Sequence, residues 1–174
     1  EISNNNKMML VDYRIPGSAV RLWCIEVSAQ GRIIVRVASD VAHGSGDSAK
    51  GHAPASKFSN REGSHMSSVG AFVSVKKYYS KAGMPEKYPG GRPYNGLSMR
   101  IKGLDSTNSN DYSRAIVIHG AWYREKGSTG RSWGCLATSA ETNKQIVDFL
   151  GIGTFGYKFG GPQHAERLTD TGIS

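Results

Sequence analysis

The sequence predicts a mainly β fold with one well-defined helix, and three features point to it. Six segments are rich in β-branched and aromatic residues. A single segment joins a capping box to apolar residues at helical spacing. The 22 glycines in 174 residues supply the turns that a strand-rich chain requires.

In chain order, strands are expected over Leu22–Val27, Arg32–Val37, Val69–Val75, Leu97–Gly103, Arg114–His119 and Thr154–Phe159. Residues Val75–Lys81 read as a short helix, with a continued strand as the alternative. The clear helix follows Cys135. Thr138-Ser139-Ala140-Glu141 places Thr138 at the N-cap with Glu141 three residues on; Ile146, Phe149 and Leu150 then recur at helical spacing until Gly151 stops the segment. Two long turn-rich stretches interrupt the strands, His43–Ser68 and Ser80–Asn95, the second carrying Met84-Pro85, Tyr88-Pro89-Gly90-Gly91 and Arg92-Pro93. Loops of that length either shape a site or fray. The length is that of one domain over residues 1–174, with a core over about residues 11–159 and a polar, loosely held tail from Gly160 to Ser174.

Lys and Arg number 22 against 14 Asp and Glu, a formal +8 with an isoelectric point near 9.6. Such an excess suits a polyanionic partner or a solvated basic surface. The basic residues are scattered, and the densest groupings, Lys76-Lys77 and Arg124 with Lys126, are too short for a nucleic-acid arm, so no nucleic-acid partner is expected. No apolar run approaches the roughly 18 residues of a membrane span, which leaves a soluble chain as the expectation. The chain starts Glu1-Ile2-Ser3-Asn4 without Met, as a chain trimmed of a secretion signal would. Five histidines and two cysteines fall into no metal-ligand spacing, so neither a metal nor another cofactor is expected. Cys24 sits in a half-buried strand pattern as a small apolar filler, and a Cys24–Cys135 disulfide is the less favoured reading.

The chemistry concentrates between Asp111 and Leu150. Ala115-Ile116-Val117-Ile118-His119-Gly120 is a buried strand ending in His-Gly, and sixteen residues after His119 comes Cys135, in Ser132-Trp133-Gly134-Cys135. A strand end holds an imidazole rigidly, and a Gly-preceded Cys in a loop can expose its sulfur. A thiol of ordinary pKa, about 8.5, is mostly protonated at neutral pH and needs a base or a nearby cation to act as nucleophile. His119 is the candidate base and Arg131 a nearby cation. Backbone N–H groups of Trp133, Gly134 and Cys135 are candidate oxyanion donors, with an effect of about 3–4 kcal/mol per donor in comparable sites. Taken alone, one His and one Cys at this separation are also what unrelated buried residues show.

The pattern His119-Gly120 … Ser132-Trp133-Gly134-Cys135 resembles the His … Ser-x-Gly-Cys signature of L,D-transpeptidase (YkuD-like) catalytic domains, in the branch with Ser-Trp-Gly-Cys. Lys57-Phe58-Ser59-Asn60 through Gly63-Ser64-His65-Met66-Ser67-Ser68-Val69-Gly70 is similar to an upstream block of that branch, and Asp111 through Ala121 to a second one. The likeness spans roughly Val11 to Phe159. It implies a YkuD-like β-sandwich or open barrel of mixed sheets with a few short helices, and no cofactor. It also implies peptidoglycan remodelling in the periplasm or cell envelope. Cys135 would attack the diaminopimelate carbonyl of a tetrapeptide stem, expel D-Ala and pass the acyl group to an amine acceptor, a second stem or an anchored protein. With water as acceptor the enzyme is an L,D-carboxypeptidase. A non-catalytic, basic peptidoglycan-binding module is the reading from another class.

Carried over by position, Cys135 is the nucleophile, His119 the base and the Gly120 carbonyl the orienter of the imidazole. Two positions depart from the usual signature. Trp133 stands where a His precedes Gly-Cys, and Ala137 where an Arg lies two residues after the Cys. Arg131 is the expected substitute for that Arg, His65 a residue opposite Cys135 that donates to the intermediate, and Ser132 a hydroxyl that fixes the loop. Tyr112, Trp122, Tyr123 and Trp133 are either cleft wall or core. His43, His52 and His164 read as surface or turn residues, and Ser67 and Ser68 as turn residues.

Overall fold

The computed structural model describes residues 2–47, 52–80, 96–124 and 130–161. Ten strands and one helix make up the regular structure: β1 (Asn4–Asp12), β2 (Leu22–Val27), β3 (Ile33–Ser39), β4 (His43–Gly44), β5 (Gly70–Tyr79), β6 (Leu97–Gly103), β7 (Val117–Gly120), β8 (Gly130–Ser132), β9 (Leu136–Thr138), α1 (Ala140–Leu150) and β10 (Thr154–Phe159). One 3₁₀ turn, Trp122–Arg124, follows β7. Eight strands form one mixed sheet in the order β3-β2-β1-β10-β5-β6-β7-β9, and β4 pairs with β8 in a two-stranded ribbon. The pairings β1/β10 and β7/β9 are parallel, and the other pairs of the large sheet are antiparallel.

The sheet curls. Helix α1 touches β6 and β7 near one edge and β3 at the other, and past β3 the Ala42 N–H donates to the Ala137 carbonyl of β9 at 2.8 Å. The concave side carries one continuous core of Met9, Val11, Leu22, Cys24, Phe72, Met99, Ile101, Ile118, Leu136, Ile146 and Leu150, among others. The alternation behind it is plain in β1, where Met9 and Val11 point inward, and in β2, where Leu22 and Cys24 do. Phe72 lies flat over Gly156 of the neighbouring β10; a Cβ there would come within 2.1 Å of the ring.

Strands β2, β6 and β10 have the bounds the sequence predicts. Strand β1 goes unread because Met8-Met9-Leu10 are no stronger strand formers than helix formers, and its place is set by pairing with β2 on one side and with the distant β10 on the other. The short helix expected over Val75–Lys81 is corrected. Strand β5 runs on to Tyr79, paired with β6 as far as Tyr79↔Leu97, so those backbone groups are satisfied by the ladder. The strand expected from Arg114 begins only at Val117, because Ala115 adopts φ 55 in a turn. The N-cap shifts by one residue. Thr138 is still extended in β9, opposite Gly120, and Ser139 caps α1 by accepting the Thr142 N–H at 3.2 Å. Gly151, at φ 64, closes the far end. Residues 81–95 of the second long loop and 162–174 of the tail lie outside the described residues.

A buried ionic cluster ties three distant segments together. Lys158 of β10 reaches Asp111 Oδ2 at 2.5 Å and Ser68 Oγ at 2.9 Å, and the Ser68 hydroxyl donates to Asp111 Oδ1. All three residues are inaccessible to solvent. Ser68 and Ser67, expected as hydrogen-bonding turn residues, make their hydrogen bonds from buried positions, and the Ser67 hydroxyl accepts the Gly44 N–H at 3.0 Å. Removing one member of a buried pair strands the other charge. Asp111→Ala is therefore expected to cost about 3–5 kcal/mol in urea denaturation, and the double variant Asp111→Leu/Lys158→Met to recover much of that loss.

Candidate active site

Strands β7 and β9 run parallel in the register Ile118↔Leu136, His119↔Ala137, Gly120↔Thr138. One step back, Cys135 stands level with Val117. Side chains alternate across a strand, so Val117, His119, Cys135 and Ala137 share a face while Ile118 and Leu136 enter the core. The ladder therefore places the imidazole and the thiol on one surface, on neighbouring strands and two residues apart along them.

The His119 Nδ1–H donates to the Gly120 carbonyl oxygen at 2.8 Å. That bond leaves Nε2 as the nitrogen able to accept a proton. Burial pushes the His119 pKa below its ordinary value, against a smaller opposing pull from the Gly120 carbonyl, so the ring is neutral at pH 7. Cys135 is half-buried and unpaired, and its thiol faces the Ala115 carbonyl at 3.7 Å. Burial pushes this thiol up, while the Val117 N–H and then the Arg114 guanidinium pull it back. The resting site is thus a neutral thiol beside a neutral imidazole, each on its own carbonyl, rather than a preformed ion pair. A thiol on the Ala115 carbonyl must swing to Nε2 to give up its proton, and such catalytic hydrogen bonds commonly tighten only on substrate binding.

The loop before Cys135 is tightly built. Ser132 is buried, its Oγ accepts the Gly134 N–H at 3.2 Å, and its carbonyl accepts the Ser45 N–H at 2.7 Å. Gly134 has φ 108, and a Cβ on it would lie 2.6 Å from the Met66 carbonyl oxygen, so no other residue fits without moving the loop. Trp133 is 71% exposed and stacks on His65 with ring centroids 4.7 Å apart and planes 11° apart. His65, exposed and at φ 55, is held from the other side by Gly46, whose N–H donates to its carbonyl at 2.9 Å. The structure thus brings Cys135, His119, Gly120, Ser132, Trp133, Gly134 and His65 into one region. Arg131 contributes its backbone to β8, and its side chain lies outside the described part of the structure.

Other expectations sort differently. Tyr123 is buried with Ala42, Ala121 and Ala137, and Trp122 packs on that cluster, so these two aromatics are core, whereas Tyr112 is half exposed under the Arg100 guanidinium. His43 is corrected from surface to fully buried, its Nδ1 at 3.0 Å from an Arg21 nitrogen in the interior. His52 is exposed in a turn, and His164 lies outside the described residues. Reading the residues alone missed Arg114. It donates to the carbonyls of Ser59 and Met66, each at 2.7 Å, and to Ser64 Oγ at 3.2 Å, beneath the loop that carries His65. Its only signal in the sequence is its place one turn ahead of the His119 strand. Among the described residues no three His, Cys, Asp or Glu side chains cluster as metal ligands, and no helix is long and apolar enough to cross a membrane.

The family whose model matches is the L,D-transpeptidase catalytic domain, over residues 1–159. No curated protein matches the chain. Among solved structures it is similar to an L,D-transpeptidase from Mycobacterium smegmatis (13% identity, TM-score 0.51), covering 89% of this chain and 59% of that one. It also resembles the helical cell shape determining protein Pgp2 from Campylobacter jejuni (16% identity, TM-score 0.54), covering 91% and 49%. A third likeness is the Ldtfm-avibactam carbamoyl enzyme (17% identity, TM-score 0.52), covering 90% and 50%. These likenesses concern the fold, and the chain spans about half to three fifths of the length of those proteins.

The two cysteines separate in a simple chemical test. Iodoacetamide on the native protein is expected to modify Cys135 alone, because Cys24 is wholly buried and its thiol is pushed up to about 12 by burial. Intact-mass measurement should give one adduct on the native chain and two after denaturation.

Proposed function

The chain belongs to the L,D-transpeptidase catalytic-domain family, and from that premise we propose that it is a cysteine acyltransferase of peptidoglycan, acting in the cell envelope with Cys135 as nucleophile and His119 as general base. The observation that carries this reading is the β7/β9 register, which sets the two side chains on one face while the Gly120 carbonyl fixes the Nδ1–H tautomer. A base held in one tautomer by a backbone carbonyl plays the orienting part that a third side chain plays in other triads.

The steps follow from these groups. Cys135 Sγ attacks the carbonyl carbon of the diaminopimelate residue in a tetrapeptide stem as its proton passes to His119 Nε2. The oxyanion is held by backbone N–H groups. With the Gly134 N–H turned to Ser132 Oγ, the donors the loop offers are those of Trp133 and Cys135. The intermediate collapses, the C–N bond to the terminal D-Ala breaks, and the imidazolium returns its proton to the departing amine. The thioester then accepts an amine from a second stem or an anchored protein. That amine's proton leaves through His119, and the thiol is restored. Trp133 and His65 stand at the rim as one wall for the donor stem.

The test is incubation of wild type and Cys135→Ala with a purified diaminopimelate tetrapeptide muropeptide, read by mass spectrometry. A cross-linked dimer lost in the variant is the expected result. Loss of D-Ala without a dimer would make water the acceptor and the enzyme an L,D-carboxypeptidase. No Cys135-dependent product would overturn the enzyme reading in favour of a peptidoglycan-binding module. His119→Gln is expected to lower kcat about 10²–10⁴-fold with little change in melting temperature.

The pH dependence carries a sign. His119 has a lowered pKa, so its neutral, basic form persists to lower pH than that of a free imidazole, and protonation removes activity only below that point. The acid limb of the kcat/KM profile is expected to have its midpoint below the ordinary histidine value of 6.5.

A further inference from the structure

Arg114 is a cation whose guanidinium bonds to neutral oxygens, with the charges of Asp111 and Glu62 acting on it from beyond hydrogen-bond contact. Its three hydrogen bonds run to the Ser59 and Met66 carbonyls and to Ser64 Oγ, all uncharged acceptors, and it forms no ion pair among the described residues. The carboxylate nearest in sequence, Asp111, is taken by Lys158 and Ser68. An arginine that satisfies its donors on neutral oxygens keeps its full charge for whatever anion forms beside it.

Its position points to that anion. The Nη2 atom lies 3.2 Å from where a Cβ on Gly134 would stand, so the guanidinium rests against the residue immediately before Cys135. The same nitrogen holds the Met66 carbonyl, whose oxygen crowds that Cβ position at 2.6 Å, and Ala115, the next residue after Arg114, presents its carbonyl to the thiol. One residue therefore joins the His65 loop, the Gly134 turn and the segment whose carbonyl accepts the thiol's hydrogen bond.

We propose that Arg114 is the positioning residue of the nucleophile: it clamps the Ser59–Met66 segment against Gly134 and supplies the positive charge that stabilises the Cys135 thiolate as it forms. The inference rests on Cys135 being the nucleophile. Other charges reach the same sulfur. Asp111 opposes the thiolate and Lys158 favours it, and their mutual pairing leaves Arg114 the larger of the charge effects. Glu62 acts on Arg114 rather than on the thiol, Tyr13 is held neutral by a pKa pushed up to about 12, and His119 is neutral at rest.

The experiment reads the thiol without any substrate: the pH-rate profile of iodoacetamide addition at Cys135 in wild type, Arg114→Gln and Arg114→Lys, each checked for a cooperative melt. Arg114→Gln is expected to slow alkylation at pH 7 about ten-fold and to move the midpoint of the profile upward, as loss of a neighbouring cation does. Arg114→Lys should stay within about three-fold of wild type, because the charge remains. An Arg114→Gln midpoint equal to that of wild type would overturn the proposal, since a purely structural brace does not move a thiol titration. So would an Arg114→Lys profile displaced as far as that of Arg114→Gln. If Arg114→Gln does not fold, Arg114→Lys decides alone: an unmoved midpoint supports the charge, and a raised one overturns it. Wild type that forms Cys135-dependent muropeptide products while Arg114→Gln alkylates normally would sink the role of Arg114 and leave the acyltransferase reading standing.

Discussion

The geometry around Cys135 depends on a buried ion pair that does no chemistry itself. Lys158 and Asp111 lie out of reach of solvent, and each charge is tolerable there only because the other, together with Ser68, saturates its hydrogen-bonding capacity. Asp111 anchors the turn from which Arg114, Ala115 and then β7 emerge, and the Ile116 N–H closes that turn on the Asp111 carbonyl at 2.9 Å. Ser68 ends the segment that carries His65 and Met66. Lys158 fixes both to β10, at the centre of the sheet. Two long connections that have no ladder of their own are thereby given fixed positions relative to the strand carrying His119.

From that frame follows an unusual balance at Cys135. Many reactive cysteines are kept as thiolates by a cation or a helix N-terminus. Here burial raises the thiol and lowers the imidazole, which favours the neutral forms of both. In a neutral pair charge separates only when the proton moves, and the Val117 N–H and the Arg114 guanidinium are in place to favour a negative sulfur. At rest the thiol is correspondingly less exposed to adventitious oxidation.

How much of this the sequence discloses depends on whether a feature is local. Strands β2, β6 and β10 and the helix after Cys135 are legible because alternation, β-branching and capping are written within a few residues. The end of β5 and the whole of β1 are not, because their state is decided by ladder partners outside the segment, β6 for the one and β2 with β10 for the other. Cys135 and His119 are weak as residues alone and gain specificity from the likeness of three blocks. The buried Ser68, His43 and Lys158 are opaque for the same reason as β1. A polar residue in a loop or at a strand end looks exposed until a distant partner satisfies it, and neither Asp111 nor Arg21 lies near its partner in sequence.

The residue two places after Cys135 shows how packing decides where a cation can sit near the thiol. Ala137 pairs with His119, accepts the Ala42 N–H where the sheet curls closed, and is wholly buried with Ala42, Ala121 and Tyr123. A guanidinium there would have to desolvate inside an apolar cluster with no acceptor supplied, at a cost of several kcal/mol. Arg114, on the turn before β7, has its guanidinium satisfied by carbonyls of the Ser59–Met66 segment, which lies close under Gly134. Bringing the segment so close sets His65 beside residue 133, and an aromatic surface there is what a stacked imidazole favours. The burial of Ala137, the seat of Arg114 under Gly134 and the stacking of His65 on Trp133 thus meet in one packed arrangement beside Cys135.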